Sequence, residues 1–97
     1  MGAPTIFRGT ATTTLARVNM VNRLTGKQSF ATSAVVNNLD TGSIALKVYI
    51  PNSAVDQGLD YFTVPANSSR TIPGPFAFLG VQSASSTLAY EVLASVA

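Results

Sequence analysis

The strongest constraint on the fold lies in residues 44–50, where large aliphatic side chains occupy every second position. These positions are Ile44, Leu46, Val48 and Ile50. A period of two predicts a β-strand with one buried and one wetter face, whereas a helix would put Ile44 and Val48 on one face and turn Leu46 away from them. Pro51 follows directly and ends the strand, because proline has no N–H to donate to a neighbouring strand.

Polar turn formers precede this strand over residues 37–43. Asn and Asp side chains can bond their own backbone, and Gly42 is free to adopt a positive φ. Residues 28–36 before them read as another strand, with Phe30, Thr32, Ala34 and Val36 on one face. The pattern therefore predicts a β-hairpin whose turn lies between Asn37 and Ser43.

The rest of the chain shows the same pattern, with turn signals about every 8–12 residues. Residues 61–64 and 70–72 read as strands around a turn at 65–69, with a break at 73–75, and residues 87–96 alternate as a last strand. Residues 12–24 also fit a helix, because aliphatic residues recur at every third position there. The β-branched run at residues 12–14 favours a strand instead.

We therefore predict an all-β fold, a single antiparallel β-sandwich of seven or eight strands that is Ig-like or jelly-roll-like. Residues 22–27 form a turn in which Gly26 takes the positive φ. Residues 1–10 are predicted to be an extended N-terminal arm, which could form a short edge strand or dock on a neighbour. Residues 11–97 form the sandwich domain.

The composition removes most catalytic chemistry. The 97 residues include no Cys and no His, the residues that supply most nucleophile–base pairs and most metal ligands. Asp56 and Asp60 are four residues apart, but without a third ligand nearby they read as solvated loop acids. Asn67 begins an N-glycosylation pattern that reads better as a turn. We expect no enzyme, no catalytic residue, no cofactor and no metal.

Five aromatic residues offer two interpretations. They could line a surface that stacks on sugars or bases, or they could fill the core of a sandwich, which is the commoner use of aromatics at strand spacing. We favour the core. The residues are Tyr49, Tyr61, Phe62, Phe76 and Phe78.

The charges are few and unevenly placed. Only 10% of residues are charged, so the polar surface must come from eleven Thr and ten Ser, as expected of a subunit packed among neighbours. The first 27 residues carry four cations and no acid, which makes them candidate partner-binding residues, although four solvated side chains is the plainer interpretation. They lack interleaved aromatics, so we do not expect nucleic-acid binding. These cations are Arg8, Arg17, Arg23 and Lys27.

Three segments carry a resemblance to a known family. They are VNNLDTGSIALKVYI at 36–50, YFTVPANSSRTI at 61–72 and GVQSASSTLAYEV at 80–92. Together they resemble small virion structural proteins of tailed bacteriophages, of the capsid decoration or cement type. The likeness extends over residues 36–92 and lies in the succession of strands and turns, so it assigns no functional residue.

The resemblance implies a β-sandwich that binds other virion proteins and catalyses nothing. We expect a homo-oligomeric decoration or cement protein that is made in the host cytoplasm and carried in the virion, with the major capsid protein as the favoured partner. The alternative is a tail, neck or fibre component that recognises a carbohydrate receptor. No stretch approaches the roughly 18–20 apolar residues of a membrane span, so we expect no membrane association.

Overall fold

A computed structural model describes residues 3–50 and 61–97, with side chains from Thr5 onward. The described residues form ten strands and no helix. They are β1 (Ala3–Ala11), β2 (Ala16–Asn19), β3 (Val21–Asn22), β4 (Lys27–Gln28), β5 (Ala31–Asn38), β6 (Leu46–Tyr49), β7 (Tyr61–Val64), β8 (Ser68–Phe76), β9 (Phe78–Ser83) and β10 (Leu88–Val96).

Eight of these strands build two four-stranded antiparallel sheets, and β3 and β4 pair separately as a short hairpin. Sheet A has the order β1-β10-β5-β8, and sheet B has the order β2-β9-β6-β7. The chain changes sheet at every connection between these eight strands except the one from β6 to β7. Two four-stranded sheets linked in this way form a jelly roll, so the prediction of an antiparallel β-sandwich is confirmed, and the jelly-roll alternative is the one observed.

The core lies between the sheets and is made of alternate side chains from nearly every strand. Strand β10 is central in sheet A, and the predicted alternation holds along its whole length: Leu88, Tyr90, Val92, Ala94 and Val96 are all buried. Strands β6 and β9 supply the facing side chains Leu46, Val48, Leu79 and Val81. Burial of these aliphatic groups is the main force that holds the sandwich together.

The predicted hairpin around residues 37–43 is wrong. Both strands exist, but β5 pairs with β10 and β8, whereas β6 pairs with β9 and β7. Asn38 supports the crossing, because its amide donates to the carbonyls of Ile44 and Val64, both at 2.9 Å, and accepts from the N–H of Asp40. Turn-forming residues therefore carry the chain from one sheet to the other.

Two further predictions about strands need correction. A β-bulge between Ala31 and Ser33 shifts the alternation in β5, so Ala31, Ala34 and Val36 are buried while Phe30 and Thr32 are exposed. Strand β8 does not break at residues 73–75 but continues to Phe76, because it lies at the edge of sheet A, where proline is tolerated.

Two predictions about residues 12–27 are confirmed. Residues 12–24 contain strands β2 and β3 rather than a helix, and Gly26 has a φ of 72° in the turn between β3 and β4. The described part of the expected N-terminal arm forms the edge strand β1, paired with β10 from Ala3 to Ala11. Its inward residues Phe7 and Ala11 pack on the core, so this segment belongs to the sandwich. The loop expected at 51–60, with Asp56 and Asp60, lies outside the described residues.

Candidate interaction sites

The outer face of sheet A carries an aliphatic row that crosses three strands. Ile6 on β1 is opposite Leu93 on β10, and Leu93 is opposite Val35 on β5. Their exposed fractions lie between 36% and 42%, so three large aliphatic side chains are partly open to solvent side by side. We call these three residues the aliphatic row. The register places Thr71 of β8 beside Val35, so the row ends in a small polar residue.

A polar row lies next to the aliphatic row. The Arg8 Nε donates to Glu91 Oε2 at 2.8 Å, and the Asn37 amide donates to the other carboxylate oxygen at 3.2 Å. The hydrogen bond from Arg8 is the largest effect that lowers the pKa of Glu91 below its ordinary value. The ion pair and the hydrogen bonds make this row an ordered polar border beside the aliphatic row.

The outer face of sheet B is aromatic and basic. Tyr49 of β6 is opposite Tyr61 of β7, and their ring centroids are 5.1 Å apart at 43°. The Lys47 ammonium lies 5.3 Å from the Tyr61 ring centroid, and Tyr61 is 47% exposed. The Tyr49 hydroxyl donates to Gln82 Oε1 at 2.9 Å, which fixes the orientation of its ring.

Gly80 of β9 lies between Arg17 and Tyr49 in the register of the same face. A Cβ at this position would come within 3.0 Å of Leu15 Cδ1 and 3.2 Å of Tyr49 Cβ. Because Gly80 has no side chain, Leu15 can lie over the sheet. Close by, the Gln82 side-chain amide donates to the carbonyl of Thr13 at 2.7 Å. The contacts of Leu15 and Thr13 hold the loop after β1 against sheet B.

The five aromatics of the stacking hypothesis separate into two groups. Phe76 is buried in the core and Phe62 packs against it, as the favoured interpretation predicts. Tyr49, Tyr61 and Phe78 instead occupy strand positions that face outward from sheet B, so core packing does not account for them. Tyr49, Tyr61 and Phe78 share one face because the pairing of β6, β7 and β9 brings residues that are distant in sequence together.

The four basic residues do not form one patch. Arg8 belongs to the polar row on the outer face of sheet A, whereas Arg17 lies on the outer face of sheet B with its guanidinium 3.9 Å from the Phe78 ring centroid. Arg23 and Lys27 share the β3–β4 hairpin. The Arg23 guanidinium donates to the carbonyl of Ile6 at 2.7 Å and lies over the Phe7 ring. Their role as partner contacts stays a prediction.

Two surface features were not singled out from the sequence. The aliphatic row consists of the apolar residues that are out of phase with the buried set, such as Leu93 between Val92 and Ala94, and this was a detectable signal. Leu24 at the tip of the β3–β4 hairpin is 89% exposed, the largest exposure among the large hydrophobic residues in the described part of the chain. In the sequence, Leu24 fits the spacing of aliphatic residues at every third position in residues 12–24.

Within residues 3–50 and 61–97 no group of three acidic, His or Cys side chains is placed to hold a metal ion. The same residues form no helix with the length and apolarity needed to cross a bilayer.

No protein-family model matches the chain, and no curated protein is significantly similar to it. Among solved structures it is similar to a chain of the Bacillus endospore appendages, which are disulfide-linked pili, with 14% identity and a TM-score of 0.51. It is also similar to the Yersinia pseudotuberculosis-derived mitogen, with 12% identity and a TM-score of 0.48. Each alignment covers 100% of this chain and 88% of the other.

The likeness to the Bacillus chain supports the β fold alone. This chain has no cysteine, so the disulfide linkage named for those pili has no counterpart in its sequence.

Proposed function

We propose that the protein is a non-enzymatic structural subunit of a phage virion, and that it decorates or cements the capsid by binding the major capsid protein. The observation that carries this proposal is the aliphatic row on the outer face of sheet A. Ile6, Leu93 and Val35 expose apolar surface on a regular sheet, where a second flat surface can pack at about 10 Å.

The sequence supports the same proposal in two ways. Its resemblance to small virion structural proteins implies this class of function and the virion as location. Its charged fraction of 10% and its Ser- and Thr-rich surface also suit a subunit that is surrounded by neighbours. The polar border of Arg8, Glu91 and Asn37 would fix the orientation of the partner, because a misplaced partner would leave the Glu91 carboxylate facing apolar groups.

Particle composition tests this function. Intact particles from the source of the chain are purified on a density gradient, and the protein is quantified relative to the principal shell protein by mass spectrometry. We expect a fixed integer ratio in the particle fraction. Absence from the particles, or a ratio that varies between preparations, would rule out a capsid subunit.

A second candidate function is recognition of a carbohydrate receptor by a tail, neck or fibre component. The specific observation that favours it is the Tyr49–Tyr61 pair with Lys47 beside it on the outer face of sheet B. Two tilted rings provide apolar faces for sugar C–H groups, and the ammonium provides a hydrogen-bond donor for sugar hydroxyl or carboxylate groups.

A glycan array separates the two candidates. For a receptor-binding protein we expect hits that a Tyr61→Ala variant loses and a Phe30→Ala variant keeps, since Phe30 is an exposed aromatic outside this face. An array without hits removes the second candidate and leaves the first unaffected.

A further inference from the structure

Strand β1 forms one edge of sheet A, and the hydrogen bonds of the sheet show which of its backbone groups face outward. In β10 the carbonyl of Ala89 accepts from the N–H of Leu39 at 3.0 Å, so the odd-numbered residues of β10 bond towards β5. Successive residues of a strand bond to opposite sides, and each odd-numbered residue of β10 is opposite an even-numbered residue of β1. These residues of β1 therefore direct their N–H and C=O groups away from β10. They include Ile6, Arg8 and Thr10.

One end of this outward edge is already occupied. Pro4 has no N–H to donate. The carbonyl of Ile6 accepts from the Arg23 guanidinium at 2.7 Å, which also agrees with the outward direction of that carbonyl. Arg8 and Thr10 follow, and in the part of the chain that the structure describes no strand pairs with them on the side away from β10. We call the N–H and C=O groups of these two residues the open edge.

The open edge is accessible from outside. The side chain of Arg8 is 70% exposed, Thr10 is exposed, and so are residues 12–16, where the chain leaves sheet A. The opposite edge strand β8 contains Pro73 and Pro75, which have no N–H and would interrupt a further ladder. An exposed strand edge with unpaired N–H and C=O groups can bind another strand through main-chain hydrogen bonds. Of the two edges of sheet A, β1 is therefore the one suited to receive such a strand.

The open edge is complementary to itself. When two copies of β1 run antiparallel about a two-fold axis at Gly9, Arg8 of each copy lies opposite Thr10 of the other. Each such pair exchanges both of its main-chain hydrogen bonds, so every N–H and C=O of the open edge has a partner. The two Gly9 residues form the pair in between, where the Cα atoms approach to about 4.5 Å. Since glycine has no side chain, none has to be accommodated at this closest approach.

Other two-fold registers of β1 are less favourable. An axis nearer the start of β1 would use the carbonyl of Ile6, which Arg23 occupies. An axis at Arg8 would place two guanidinium groups directly opposite each other, and like charges in that position are destabilising. An axis further along would use the carbonyl of Thr12, which accepts from the N–H of Ser83 at 2.7 Å. In the register above, each guanidinium keeps its own carboxylate partner and lies beside an uncharged threonine.

We propose that β1 of one copy binds β1 of a second copy of this chain along the open edge, antiparallel and with the two-fold axis at Gly9. The contact is isologous, so a closed dimer forms and no further copy adds at this edge. The two copies of sheet A then join into one eight-stranded sheet. Because the axis is perpendicular to that sheet, both aliphatic rows lie on the same outer face.

This inference goes beyond the proposed function, which rests on the aliphatic row of a single copy. A dimer presents two aliphatic rows to one shell, so that binding of the second row becomes intramolecular. The dimer contact is short, and we expect weak association in solution with a Kd on the order of 100 μM. A strictly monomeric protein would rule out the dimer and leave binding through one row intact, whereas absence from the particles would rule out the proposed function alone.

Sedimentation velocity over a concentration series tests the contact with a pair of variants at one position. Thr10→Pro removes an N–H of the open edge and no hydrogen bond to β10, since that N–H points outward. Thr10→Val keeps the N–H and the β-branched shape and is the matched control. We expect the weight-average sedimentation coefficient of the wild type to rise with concentration, Thr10→Val to behave in the same way, and Thr10→Pro to weaken dimerisation by at least about tenfold.

Disulfide cross-linking tests the register, and the chain has no cysteine of its own. An equimolar mixture of Arg8→Cys and Thr10→Cys should form a disulfide-linked dimer under mild oxidation, because opposite residues of a hydrogen-bonded pair have Cα atoms about 5.5 Å apart. Either variant alone should cross-link at least about tenfold more slowly, since its two cysteines are diagonal neighbours about 7–8 Å apart. Thr10→Cys mixed with Thr71→Cys, on strand β8, is the control for pairing between different edges.

Three results would overturn the proposal. They are a wild type that stays monomeric up to about 1 mM, a Thr10→Pro variant that dimerises as the wild type does, and a mixture of Arg8→Cys and Thr10→Cys that cross-links no faster than either variant alone. Cross-linking of Thr10→Cys with Thr71→Cys at the rate of that mixture would mean that β1 binds β8, and would equally contradict the symmetric dimer. Circular dichroism melts of all variants establish that each one is folded before it is compared.

Discussion

At the scale of single residues, Asn38 is the polar side chain on which the sandwich depends most. It is 2% exposed. Its side-chain amide donates to the carbonyls of Ile44, just before β6, and of Val64, at the end of β7, and its oxygen accepts from the N–H of Asp40. In the structure no buried side-chain nitrogen or oxygen of the described residues lacks a partner, so this network is complete. We expect Asn38→Ala to lower the free energy of unfolding by about 2–4 kcal/mol, because the buried hydrogen bond to the Val64 carbonyl and the part-buried one to the Ile44 carbonyl are lost. Urea denaturation measures this, and Asn37→Ala, on the outer face, is the control with an expected cost below about 1 kcal/mol.

The Arg8–Glu91 pair gives a dependence on pH with a definite sign. Its hydrogen bond lowers the pKa of Glu91 in the folded protein below the ordinary value of about 4.3. The pair therefore stabilises the fold above that value, and this stabilisation is lost as the pH falls through the lowered pKa. We expect the urea midpoints of wild type and Arg8→Gln to differ at about pH 7 and to converge at about pH 2. Lys27→Gln removes one positive charge on the β3–β4 hairpin and serves as the control. If its urea midpoint differs from that of the wild type as much as the midpoint of Arg8→Gln does, the effect is due to net charge.

At the scale of elements, the two faces of each sheet have different roles. Leu79 in β9 is fully buried in the core, whereas Leu93 in β10 belongs to the aliphatic row. We expect Leu79→Ala to cost about 2–5 kcal/mol and Leu93→Ala less than about 1 kcal/mol, because only the first leaves a cavity. Thermal and urea unfolding of the two variants compare the same Leu→Ala change on the inner face of sheet B and on the outer face of sheet A. Similar costs would mean that the assignment of inner and outer faces is wrong.

The elements also separate what the sequence predicts from what it does not. The alternation in β10 and β6 predicts both strands and their buried sides, because that period depends only on local geometry. The partners of those strands are not local. Residues such as Asn38 and Asp40 form a hairpin turn or a crossing between sheets equally well, so the β5–β6 hairpin was predicted wrongly. The bulge after Ala31 likewise changes the phase of β5 without any break in its composition.

At the scale of the whole molecule, the same limit applies to the candidate sites. Val35 and Leu93 are visible in the sequence as apolar residues out of phase, but their alignment with Ile6 depends on the pairing of three strands. The four basic residues all lie in the first 27 residues of the chain, and the jelly roll distributes them over both outer faces and one hairpin. Proximity in sequence therefore does not show whether these residues share one surface, and their role as partner contacts stays a prediction.

We propose that the protein assembles into a particle through the outer face of sheet A. The occupancy of particles by a pair of variants tests this proposal. Leu93→Lys places a charge in the aliphatic row, and Thr63→Lys places the same charge on the outer face of sheet B. Each variant, shown by its melting curve to be folded, is mixed with particles that lack the protein, and bound copies are counted after gradient purification. We expect Thr63→Lys to bind at wild-type occupancy and Leu93→Lys to lose at least about nine tenths of it. Wild-type occupancy for Leu93→Lys would contradict the claim.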